Sequence, residues 1–154
     1  MKLFRELGAG AGIVAAILLV LVEWSRLPAV VPTHFGWSGA PNGYGSRMLL
    51  WSVVGLMIFL YGLMTLLARS PCRFNLPVPR GNPRRGECEM VAAELVSWLK
   101  LEVMWLFVYV IWAVIRAALN DGPGVRGWFI PVSVVVVGGT IATYRAKMRR
   151  LLDA

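Results

Sequence analysis

His34 is the single histidine of the chain and stands in VPTHFGWSGAPNGYGS, Val31 to Ser46, among prolines, glycines and aromatic rings. A lone imidazole can ligate a metal, serve as a general base, or fix a turn through its ring hydrogen bonds. Metal binding needs partners, and Cys72 and Cys88 lie in another loop at a spacing that fits neither a CxxC redox motif nor a zinc site. Base catalysis needs a nucleophile and an orienting group; Ser25, Ser38 and Ser46 stand in no spacing such a catalyst uses. These residues point to no metal, no cofactor and no enzyme. They fit a histidine that holds a turn or touches a ligand. Phe35, Trp37, Asn42, Tyr44 and Arg47 share the loop and complete this candidate cap.

A second constellation lies downstream. Glu94, Trp98, Glu102, Trp105, Tyr109, Trp112 and Arg116 recur at intervals of three and four, one stripe of a helix. Such an aromatic-polar stripe is either a packing interface within a bundle or a groove for a partner or small molecule. Charges near hydrocarbon cost about 2.5–3.5 kcal/mol each at the midplane. Lys100 and Glu102 stand close enough to a helix end to snorkel. Glu23 and Arg116 fall at matching depth beneath the His34 loop and are expected to pair. Gly8, Gly12 and Ala16 form a small-residue face that packs either inside the bundle or on a second copy.

The elements that must position these residues are membrane helices. Of the 154 residues 58% are apolar, above the roughly 45–50% of soluble domains. Four runs reach the roughly 20 residues that span hydrocarbon: about 7–24, 48–67, 99–119 and 128–144. The last is valine-rich, yet it reads as helix because the backbone in lipid must satisfy itself. Lys2 and Arg5 precede the first run, but no small-residue cleavage site follows it, so it reads as a retained helix. The loop over 70–90 is broken by proline and glycine, then turns helical from about Gly86 and continues into the third span. The expectation is an all-α integral membrane protein, one domain over 1–154. It is a four-helix bundle with a compact extracytoplasmic loop between helices 1 and 2, where Pro41-Asn42-Gly43 is the turn signal.

The net charge of +8 is placed accordingly. Lys2, Arg5, Arg69, Arg73, Arg80, Arg84, Arg85, Arg145, Lys147, Arg149 and Arg150 fall on one side of that topology. By the positive-inside rule both termini and the middle loop are cytoplasmic, in the inner (plasma) membrane. The basic residues meet anionic headgroups rather than nucleic acid, since no soluble basic face is visible. Cys72 and Cys88 are then free thiols in a reducing compartment.

Leu27 to Arg47, LPAVVPTHFGWSGAPNGYGSR, resembles the signature of a small bacterial membrane domain, domain of unknown function 1648, which also opens SdpI-type immunity proteins. Leu27-Pro28, Pro32-Thr33-His34-Phe35, Gly39 and Pro41 through Arg47 carry the likeness. Asn42 replaces the family's aspartate, Arg47 its lysine, and Gly36-Trp37-Ser38 its usual asparagine-alanine pair. The resemblance implies a multi-pass protein and, through some relatives, protection against a secreted peptide with tethering of a cytoplasmic repressor. Three classes follow: a binding, signalling or SdpI-like immunity module; an accessory or scaffold subunit bound to another membrane protein or to a second copy; and a small membrane enzyme or transporter. The third is disfavoured because no ionisable residue occupies the centre of an expected span.

Overall fold

A computed structural model describes residues 2–36, 39–70, 76, 78–79, 81–122 and 124–153. The elements run α1 (Lys2–Glu23), β1 (Val30–Phe35), β2 (Pro41–Ser46), α2 (Leu49–Arg69), α3 (Arg85–Ala118) and α4 (Phe129–Asp153). All four helices are long and apolar enough to cross a membrane. Their outer faces are those of a protein dissolved in lipid: Leu18, Phe59, Leu66 and Val135 are 53%, 64%, 65% and 72% exposed. Apolar surface on this scale has no stable place in water.

α3 is the hub, with α1, α2, α4 and β1 all packed against it. Its 34 residues make a rod of about 51 Å, well beyond the roughly 30 Å of hydrocarbon. The helix begins inside the loop over 70–90, as its acidic first turn suggests: Glu87 lies at the N-terminus and Arg85 reaches Glu89 at 3.0 Å. Its far end closes on Asn120, whose φ of 59° is left-handed. There Asp121 N–H donates to Arg116 O at 2.9 Å and Asn120 N–H to Ala117 O at 3.2 Å, the paired bonds of a Schellman end.

On α1, Arg5, Ala9, Gly12, Ala16 and Val20 form the inward stripe. A Cβ on Gly12 would stand 3.2 Å from Met104 Cβ, and one on Gly8 2.9 Å from Leu101 Cδ1. The small-residue face is therefore spent on α3 within the bundle. In lipid this close backbone approach is a main source of helix association. α4 contrasts with it: among the described residues, none of its side chains is buried.

The loop between α1 and α2 departs from expectation. It is a two-stranded antiparallel hairpin, with Val30 opposite Ser46, Pro32 opposite Tyr44 and Phe35 opposite Pro41. The chain reverses between Phe35 and Pro41, where Gly36 N–H donates to Ala40 O at 2.8 Å and Gly39 takes φ 81°. Pro41-Asn42-Gly43 thus opens a strand and is not the turn. The glycines serve cross-strand contact instead. A Cβ on Gly43 would meet His34 Cβ at 3.0 Å, and one on Gly45 would meet Leu49 Cδ1 at 2.8 Å and Thr33 Cγ2 at 3.0 Å. Buried Val31 and Leu27 plug the hairpin into the bundle.

Candidate functional site

At the end of the bundle that carries the termini, the helices exchange charge across their interfaces. Lys100 of α3 is 0% exposed and does not snorkel, contrary to the sequence expectation. Its Nζ donates to both carboxylate oxygens of Glu6 on α1, at 2.7 and 2.6 Å, and to Thr65 Oγ1 on α2 at 2.9 Å. An ammonium has three protons, and all three are placed. Tyr61 donates its hydroxyl to Glu6 at 3.2 Å and sets its ring 4.5 Å from the Lys100 nitrogen. The reason for the correction is that a fully satisfied partner set inside the bundle outcompetes a stretched side chain reaching for water.

Beside it, Arg5 is also buried. Its Nε donates to Ser97 Oγ at 3.0 Å, Nη1 reaches Glu94 at 3.4 Å, and the guanidinium lies 5.3 Å from the centre of the Trp98 ring. Glu94 in turn accepts from Lys147 of α4 at 2.9 Å. Arg84, just before α3, donates to the Leu151 carbonyl, another link to α4. Glu6, Tyr61, Thr65 and Ser97 were absent from the sequence-level candidates. The available signal was a carboxylate and an ammonium of opposite sign, Glu6 just before the first expected span and Lys100 at the start of the third.

A groove of about 420 Å³ lies between α3 and α4. Glu102, Trp105, Tyr109, Trp128 and Phe129 line it, so three members of the predicted stripe converge there. Tyr109 stacks on Phe129 at 4.3 Å and contacts Trp128 at 5.7 Å and Trp112 at 5.8 Å. Trp105 donates its ring N–H to Gly8 O on α1 at 3.0 Å. Glu102 Oε1 accepts from Thr140 of α4 at 2.5 Å. Its Oε2 is buried with no hydrogen-bond partner among the described residues. Glu94 and Trp98, two further stripe members, belong to the Arg5 cluster instead.

The expected Glu23–Arg116 pair is not formed. Glu23 takes Arg26 at 2.8 Å and Arg116 takes Asp121 at 3.5 Å. Both charges sit at their own helix ends, where a neighbour three to five residues away costs less ordering than a cross-bundle reach.

The cap residues divide in the same way. His34 is exposed and lies against Gly43. Tyr44 is exposed. Arg47 is structural: it donates to Trp24 O at 3.2 Å and Leu27 O at 2.9 Å and covers the Trp24 ring at 4.5 Å, closing the end of α1. Phe35 and Asn42 come together in a cavity of about 290 Å³ with Arg126 and Ile130. Gly124, at φ 75°, makes room for Phe35, whose ring would lie 2.3 Å from a Cβ there. Trp37 and Cys72 lie outside the described residues. Cys88 is a buried free thiol. No three His, Cys, Asp or Glu side chains converge on a metal-sized site among the described residues.

Residues 11–58 match the model of a domain of unknown function, DUF1648. That span takes in most of α1, the hairpin and the first half of α2, and it contains the motif at 27–47. An uncharacterised protein of Archaeoglobus fulgidus is 38% identical over 68 residues, a match covering 39% of this chain and 37% of the relative. The match therefore spans little more than a third of that curated relative. No solved structure matches the chain.

Proposed function

We propose that this chain, with its DUF1648 domain at 11–58, is a non-enzymatic binding and signalling module of the plasma membrane whose moving part is α4. One observation carries the reading: a 25-residue spanning helix, α4, buries none of its described residues. α4 is held to α3 by separate rungs. Tyr109–Phe129 ties the hairpin end, Glu102–Thr140 the middle, and Glu94–Lys147 with Arg84–Leu151 the end bearing the termini. The stacked rings are a contact of a kind worth about 0.5–1.5 kcal/mol, the hydroxyl–carboxyl bond about 1–3 kcal/mol and the half-exposed ion pair about 0–1 kcal/mol. A ligand that spreads the α3–α4 groove can tilt α4 and displace its basic tail, Arg145, Lys147, Arg149 and Arg150.

Charge placement supports a cytoplasmic tail and an outer hairpin. Partners that fit are anionic headgroups at the basic end, a secreted peptide or another membrane protein on the outer side, and a cytoplasmic protein at the tail. An SdpI-like immunity role is one form of this arrangement. The scaffold alternative has lost one of its two surfaces, because the Gly8/Gly12 face is occupied by α3.

The test is purification of the whole chain in mild detergent, beside a variant with Arg145, Lys147, Arg149 and Arg150 changed to glutamine. Co-purification of a cytoplasmic protein by the parent and not the variant supports the reading. Equal recovery from both contradicts it.

A further inference from the structure

We propose that the α3–α4 groove is a binding site for a small amphipathic organic cation, with Glu102 as counter-ion. The proposal rests on the reading of α3 and α4 as the binding pair and names the chemistry that pair would recognise. The carboxylates Glu6, Glu23, Glu89, Glu94 and Asp121 each have a basic partner in the structure. Glu102 has only the Thr140 hydroxyl, and its second oxygen is buried with no partner among the described residues. A buried, half-satisfied carboxyl group is costly unless something neutralises it. The groove wall supplies no cation: apart from Glu102, its lining is aromatic, aliphatic or, in Ser133, a hydroxyl already donated to Phe129 O at 2.7 Å.

The shape selects the ligand class. A volume of about 420 Å³ suits a small organic molecule rather than a bare ion. A single carboxylate is too few ligands for a divalent metal. Tyr109 lies seven residues along α3 from Glu102, about 10 Å at 1.5 Å per residue. A cationic head at Glu102 therefore places an apolar body beside Trp105, Tyr109 and Trp128, whose ring faces also attract positive charge. An anion would be repelled by the carboxyl group in the groove wall, and a neutral molecule would leave its charge uncompensated.

The probes are tetraphenylphosphonium and tetraphenylborate, matched in shape and opposite in charge. Each is measured by equilibrium dialysis against the full chain in phosphatidylcholine nanodiscs, with binding to empty nanodiscs subtracted. The expected result is saturable binding of the phosphonium alone. Glu102→Gln should weaken it at least tenfold, Glu102→Asp only a few-fold, and Glu94→Gln not measurably, with thermal unfolding confirming that each variant is folded. Binding of both ions alike, equal affinity in folded Glu102→Gln, or no saturable binding to the folded parent would overturn the site. Partner recovery that does not depend on the basic tail, with cation binding intact, would sink the signalling reading and leave this site standing; tail-dependent capture without cation binding would do the opposite.

Discussion

α1 and α4 both lie along α3, yet they are attached by different physics. α1 brings its backbone close through Gly8, Gly12 and Ala16 and places Glu6 on a buried ammonium. α4 leans on its neighbour through stacked rings, one hydroxyl–carboxyl bond, one half-exposed ion pair and the Arg84–Leu151 bond near its tail, with none of its described residues buried. In a bilayer, where lipid tails are as apolar as leucine, greasy surface alone does not hold helices together. Close backbone approach and satisfied polar contacts do. The comparison separates a three-helix frame, α1 to α3, from a fourth helix that the frame leaves room to move.

The largest expected effect lies in the frame. Lys100→Ala removes the ammonium from Glu6, and stability in a denaturing-detergent titration should fall by about 3–5 kcal/mol. Adding Glu6→Gln should restore part of the loss, because the stranded carboxylate is then gone. An unchanged midpoint for Lys100→Ala would remove the charge pair from the account. Next comes a contrast of two glycines. Gly12→Leu pushes a side chain into Met104 and should cost about 1–3 kcal/mol. Gly138→Leu on α4, where nothing lies within 4 Å of a Cβ, should leave the same titration within about 0.5 kcal/mol. Equal penalties would erase the distinction between the helices. Tyr109→Ala strips the stacked rung and should cost about 0.5–1.5 kcal/mol beyond lost area, read as easier proteolysis in the loop before α4. The smallest effect belongs to Lys147→Ala, about 0–1 kcal/mol, since that side chain is half exposed. A larger loss there would mean α4 is clamped at its tail.

Much of this frame could be read before any coordinates. Four apolar runs of spanning length, the helical onset near Gly86 and the stripe through Trp105 and Tyr109 follow from periodicity that lipid enforces. The hairpin could not, because Pro32, Pro41, Asn42 and four nearby glycines argue against strand in isolation. Only the facing strand shows that Gly43 and Gly45 are small to admit His34 and Thr33. The Glu6–Lys100 pair was hidden for another reason. Its members are 94 residues apart, and a lysine near a helix end satisfies a snorkelling pattern equally well until the partner helix is placed. Glu102 stood on the predicted stripe, but its isolation depends on what α4 presents opposite it, Thr140 and not a cation.

The proposed signalling role requires α4 to be mobile relative to a rigid frame. Electron-spin distance measurements in lipid nanodiscs test this directly, using label pairs at lipid-facing positions, with Cys72 and Cys88 replaced by alanine. The pair Leu18→Cys with Phe59→Cys reports α1 against α2, and Leu18→Cys with Val135→Cys reports α1 against α4. A narrow distribution for the first and a broad or two-peaked one for the second is the predicted result. Equally narrow distributions would show a rigid four-helix block and contradict it.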